Sequence, residues 1–202
     1  MNRAIRLGRI GGAEVVAEAS VLVVAAAVVI VLYVDFGAAY PETDPAAITA
    51  IAMLAGVAFV GSVLVHEASH AIVAQRRGMD VRRIQLLAFG GYTMIEGTSE
   101  QSVDEFAISA SGPVVSLLLG GILWLAAGAM SAVPAAQEAV RFIAFINLFV
   151  AAFNLIPGFP LDGGRVLRAS VWYFNDDRVR ATAVAVQAGR VFGWFVIGTA
   201  TV

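Results

Sequence analysis

The 202-residue chain contains no cysteine and only two histidines, and all thirteen of its cationic side chains are arginine. Without cysteine there is no disulfide framework, and no thiolate can act as nucleophile or metal ligand. The absence of lysine reads as genomic composition bias rather than chemistry. Charge of either sign is scarce: 14% of residues are charged, against about 25% in soluble domains. The net charge is -2 and no basic tract extends beyond paired arginines, so no nucleic-acid partner is expected. What fills the sequence instead is apolar surface. Hydrophobic residues make up 59% of the chain and the mean hydropathy is +0.83. A soluble domain of this size could not bury that much, and a polytopic α-helical membrane protein in a lipid bilayer is the class that remains.

Residues 1–18 carry Arg3, Arg6 and Arg9, then Gly11-Gly12, then a short apolar run, a pattern that suggests a surface hairpin. Residues 19–34 begin a first membrane helix that continues towards Tyr40, and the following loop with Glu42 and Asp44 has no arginine. Residues 46–65 are twenty uncharged positions, enough to cross the hydrocarbon. Further apolar segments are expected at 106–133, 142–160 and 181–202, five in all. Between the second and third, Ile84, Leu86 and Ala88 alternate before Gly90-Gly91, and Tyr92, Met94 and Glu96 alternate after it. This reads as two short strands with a glycine turn or bulge between them. Gly112-Pro113 can open or kink the third helix, and Gly120-Gly121 permits close helix contact. Arginines cluster at the amino terminus, at 76–83 and at 165–180, which puts these regions and the small β-sheet on the cytoplasmic side.

Both histidines lie in His66-Glu67-Ala68-Ser69-His70, at the far end of the second span. Positions i and i+4 of a helix share one face, so both imidazoles can hold one tetrahedral metal ion. Glu67 lies about 100° further round, where a base for water fits. The bland alternative is two core histidines at this spacing by chance. A catalytic zinc takes three protein ligands and keeps one open position. With no other histidine or cysteine, the third ligand must be a carboxylate. Asp162 is the carboxylate of the fourth segment and sits at matching depth, whereas Glu96, Glu100, Asp104 and Glu105 fall in a polar stretch read as solvated. Asp162 could instead cap a helix or pair with Arg165. Around it, Asn154 to Arg165 holds two prolines and three glycines, so the backbone there cannot be regular helix. Irregular backbone at membrane depth is tolerated where it lines a polar cavity, and Asn154 and Asp162 mark a site there.

His66-Glu67-Ala68-Ser69-His70 on a membrane helix, the Gly90-Gly91 strand region, and Asn154, Pro157 and Pro160-Leu161-Asp162-Gly163-Gly164 together resemble the site-2 protease family of intramembrane metalloproteases. The resemblance covers residues 6–190 and is nearest to a prokaryotic branch that often carries paired cystathionine-beta-synthase domains. It implies one zinc ion held by His66, His70 and Asp162, with Glu67 as base and Asn154 acting on substrate or intermediate. Gly90 and Gly91 would border an edge that an extended substrate joins, the alternative being an ordinary connecting hairpin, and Pro157 and Pro160 would line the substrate path. It further implies a multi-pass protein of the prokaryotic cytoplasmic membrane that cleaves single-span membrane proteins such as anti-sigma factors. A homo-oligomer stays open. Residues 1–202 are expected to form one membrane-embedded core, with a sixth segment in the full-length protein. The rival readings are a metal or proton transporter with a broken-helix site and a non-catalytic metal-binding scaffold.

Overall fold

The computed structural model describes residues 4–88, 90–97, 99–130 and 132–200. Two strands, β1 (Ala4–Ile10) and β2 (Ala13–Glu18), open the chain as a hairpin. Its turn is Gly11-Gly12, both with positive φ, the conformation a two-residue hairpin turn requires. Helix α1 (Ala19–Ala39) follows directly, then α2 (Pro45–Arg76), then a second hairpin of β3 (Val81–Leu87) and β4 (Gly90–Ile95). Helices α3 (Ser102–Gly128), α4 (Pro134–Asn154), α5 (Asp162–Asn175) and α6 (Arg178–Ala200) complete it.

The two hairpins form one four-stranded sheet in the order β1-β2-β3-β4, with β2 and β3 parallel and the other pairs antiparallel. Parallel neighbours need a long crossover. Here it is the α1–α2 helical hairpin, which runs away from the sheet and returns. The face of the sheet towards α2 is apolar, with Val15, Ala17, Ile84 and Leu86 buried. Gln75 near the end of α2 donates to the Gly11 carbonyl at 2.8 Å and fixes the first turn on the helix.

Among the described residues five helices, α1 to α4 and α6, are long and apolar enough to cross a membrane, so the chain is a multi-pass helical membrane protein with a small sheet. Helix α2 starts with Pro45 at its first position and Asp44 Oδ1 accepting from the Ala46 amide at 2.9 Å, both standard start signals. Its 32 residues extend about 48 Å, more than the ~30 Å of hydrocarbon. The His66 turn therefore lies at the far boundary, next to the sheet. Helices α3 and α4 form a close hairpin: a Cβ on Gly120 would stand 2.8 Å from Leu148 Cγ and 3.0 Å from the Ala144 carbonyl oxygen. Asn147, 1% exposed, ties α4 to α2 by donating to Ser62 Oγ at 2.9 Å.

Several boundaries differ from those expected of the sequence. Gly90 and Gly91 do not separate the strands but begin β4. The expected fourth segment, 142–160, is helical only to Asn154, in an α4 that already starts at Pro134, and Asp162 opens a separate helix, α5, beyond the irregular stretch. Helix α3 continues through Pro113 without interruption. Glu105 is 6% exposed and not solvated, because Arg168 of α5 covers it. Gly120→Val should cost about 1–3 kcal/mol through overpacking, whereas Gly121, with nothing within 4 Å of an added Cβ, should accept alanine without loss. Thermal unfolding in detergent measures both, and equal midpoints for the two variants would contradict this packing of α3 on α4.

Candidate metal centre

The site is assembled on the last turns of α2. His66 and His70 are one turn apart, 4% and 7% exposed, and their Nε2 atoms are 3.4 Å from each other. Asp162, the first residue of α5, brings Oδ2 to 3.2 Å from both. Three ligand atoms at those separations match the edges of a zinc tetrahedron, about 3.3 Å for bonds of roughly 2.0–2.1 Å. The remaining imidazole nitrogens are engaged. His70 Nδ1 donates to the Ile108 carbonyl at 2.7 Å, which leaves Nε2 with its lone pair facing the centre. His66 Nδ1 is 2.9 Å from Ser116 Oγ. Partners of this kind fix ring orientation and tautomer at metal sites.

Helix α3 makes room for the ligands as well as orienting them. A Cβ on Gly112 would overlap His70 Nε2 and stand 2.7 Å from His66 Nε2. A methyl group there would fill the centre. The donor set, two neutral imidazoles and a carboxylate with their outer atoms held, fits a zinc ion with one position left open. Asp162 reaches the centre through the irregular stretch after α4. The Leu161 amide donates to the Gly158 carbonyl at 3.0 Å and the Gly164 amide to the Leu161 carbonyl at 3.1 Å. Gly163 and Gly164 lie against the backbone of Leu155-Ile156 and Gly158-Phe159, where side chains would collide. This explains two of the glycines that follow Asp162.

Glu67 is 6% exposed and faces β4. Thr93 Oγ1 donates to Glu67 Oε2 at 2.9 Å. Gly91, on the same face of β4 as Thr93, lies so close that a Cβ would be 2.6 Å from Glu67 Cδ and 2.8 Å from Oε1. Beyond β4 no further strand is paired among the described residues, so its outer edge is open beside Glu67. Asn154 is half-buried at the end of α4 and donates to its own helix, to the Val150 carbonyl at 2.9 Å. It makes no hydrogen bond to the histidines or Asp162 among the described residues. Pro157 and Pro160 are exposed on the irregular stretch, and Gly90 is partly exposed at the start of β4. Thr93, Ser116 and the Ile108 carbonyl were not singled out from sequence, and Gly112 was read only as a kink point with Pro113 and not as part of the site. The two hydroxyls and the glycine carry no motif, and only the fold brings them to the histidines.

Residues 54–138 and 128–196 match the model of peptidase family M50. The chain belongs to that family, the site-2 proteases. Two relatives, a Synechocystis protein and Mycobacterium tuberculosis Rip3, both bear names that propose a zinc metalloprotease. They are 32% identical over 197 residues and 37% identical over 205 residues respectively. Each alignment takes in 98% of this chain but only 52% and 51% of the relative, so the chain spans about half their length. The solved site-2 protease of Methanocaldococcus jannaschii shares the fold, with a TM-score of 0.63 at 24% identity, over 96% of this chain and 82% of that one. On this geometry Gly112→Ala should lower bound zinc to about a tenth or less of the parental content, a displaced-ligand effect, although alanine is the better helix former. Metal analysis with circular dichroism tests it, and full zinc in a folded variant would refute the cradle.

Proposed function

We propose that this chain is the catalytic core of a zinc-dependent intramembrane endopeptidase. The observation that carries the reading is the convergence of His66, His70 and Asp162 beside a buried Glu67 that is held by Thr93. Zinc in that donor set lowers the pKa of water towards about 7 and polarises a peptide carbonyl. The protein side of the reaction falls to Glu67. Its Oε2 is occupied by Thr93, so Oε1 is the end free to take a proton as the water oxygen adds to the carbonyl carbon. When the C–N bond breaks, the same proton passes to the leaving nitrogen. Glu67 is thus regenerated and one water is consumed.

The open edge of β4 supports a role in substrate binding. An extended segment pairing with it would run past Glu67, and Gly90 and Gly91 leave that path clear of side chains. A helix hides its carbonyls in its own hydrogen bonds, so a transmembrane substrate must unwind before it can pair this way. Asn154, Pro157 and Pro160, on the stretch that delivers Asp162, form the opposite wall in this reading, with the Asn154 amide contacting substrate backbone or the developing oxyanion. The substrate class we favour is single-span membrane proteins, anti-sigma factors among them. The site would open to the cytoplasmic face of a prokaryotic membrane, where the arginine-rich loops lie, and residues 1–202 would act as one core, alone or as a homo-oligomer.

Purified protein reconstituted with a single-span substrate should cleave it only with zinc bound. Glu67→Gln should keep one zinc per chain and lose cleavage by about 100-fold or more, the scale of a general base. Cleavage by that variant at the parental rate would remove Glu67 from the chemistry. Thr93→Val should retain zinc and reduce kcat about tenfold by releasing Glu67, and an unchanged kcat would show that the contact is incidental.

A further inference from the structure

Arg168 and Glu105 are absorbed by none of the roles above, yet they are the most buried oppositely charged pair outside the metal centre among the described residues. Glu105 stands in the first turn of α3, its side chain 7% exposed, and Arg168 stands on α5, its side chain 19% exposed. The guanidinium donates from Nε to Glu105 Oε1 at 2.7 Å and makes a second contact to the same oxygen from its terminal nitrogen. Its Cζ lies over the ring of Phe159, 5.1 Å from the centroid. One side chain therefore holds three things: α5, α3 and the irregular stretch that leads to Asp162.

What those elements carry gives the pair its meaning. Helix α5 begins with Asp162, six residues before Arg168. On α3, Glu105 shares a buried face with Ile108, Ser109, Gly112 and Ser116, spaced 3, 4, 7 and 11 residues on. Ile108 orients His70, Gly112 clears space for both rings, and Ser116 orients His66. The ion pair thus joins the helix of one ligand to the helix that orients the other two. It is also a poor choice for stability alone. Taking both charges out of water is costly, and Glu105 Oε2 has no hydrogen-bond partner among the described residues.

We propose that the Arg168–Glu105 pair, with Phe159 stacked on it, is a positioning clamp that sets where Asp162 stands relative to His66 and His70, and so sets the affinity of the metal centre. This rests on the zinc-site reading above. The test is zinc affinity of the folded, full chain in detergent, by competition with a chelator, together with the visible spectrum of the cobalt(II) form. Binding by the parental protein and its loss in His66→Ala establish the site first, and a parental chain without zinc would defeat that reading rather than the clamp. Given such binding, Arg168→Met should weaken zinc about 10–100-fold, the range for residues behind metal ligands, and change the cobalt bands. Arg168→Lys, which keeps the charge and folds more safely but loses the planar fork, should fall between. The double variant Glu105→Met with Arg168→Met separates the roles. Two apolar residues can replace a buried ion pair in stability, but they cannot restore a directional tie. A clamp predicts a recovered melting temperature with zinc still weakened at least about tenfold. Zinc affinities of Arg168→Lys and the double variant within about twofold of the parental protein would overturn it.

Discussion

A zinc-type ligand set depends on what holds the outer atoms of its imidazoles, because those partners fix ring orientation and tautomer. That constraint explains why α3 is built as it is. Its buried face includes Glu105, Ile108, Ser109, Gly112 and Ser116, and of these only Gly112 leaves space beside the imidazoles. The helix supplies no ligand to the centre. It supplies the carbonyl and hydroxyl that aim the imidazoles and the gap in which they meet. A larger residue at 112 or an apolar one at 116 would leave the histidine motif intact in sequence and misaligned in space.

The same reasoning explains the irregular stretch between α4 and α5. A continuous helix through residues 155–161 would carry Asp162 along the α4 axis. The bend returns the chain so that Asp162 opens a new helix, and the collisions that any side chain would make at Gly163 and Gly164 show how tightly α5 is folded back. Backbone hydrogen bonds within the bend, from Gly158, Leu161 and Gly164, satisfy groups that would otherwise be exposed to lipid. Sequence indicated irregularity here through proline and glycine. It did not indicate that a separate helix of 14 residues begins at the ligand.

Legibility followed the range of the signal. The five spans could be read because twenty apolar residues in a row are a local property, and the histidine pair because i and i+4 are neighbours on any helix. The hairpins were also local: the Gly11-Gly12 pair marked the turn of the first and alternation marked the second, although Gly90-Gly91 opens β4 and does not form its turn. Their union into one sheet was not legible, since the parallel pairing of Val15 with Ile84 joins residues on either side of two membrane helices. Glu105 was misjudged for a related reason. It follows Glu100 and Asp104 in a polar stretch, and its burial depends on Arg168, 63 residues later. Thr93 was passed over because its alternation partners, Tyr92 and Met94, drew the eye to the exposed face, 53% and 39% accessible, while Thr93 turns the other way to Glu67.

The arrangement divides the molecule into a part that must be exact and a part that need not be. The ligands and their supports come from α2, α3 and α5, and Asn147 and Gly120 lock α4 to that group. Helices α1 and α6 lie outside it. Each buries little of its span, and α6 exposes Trp194 and Phe195 to the surroundings, 72% and 67% accessible. Packing of small residues is what holds membrane helices together, and for α6 it comes from the buried Ala181 and Ala185 and from Gly189 against the backbone of Gly158. Helix α6 packs on α5 and, through Gly189, on the Gly158 bend, so it backs the helix that opens with Asp162 without supplying a ligand. The candidate ligands thus all stand on inner elements, α2 and α5, with α3 packed behind them.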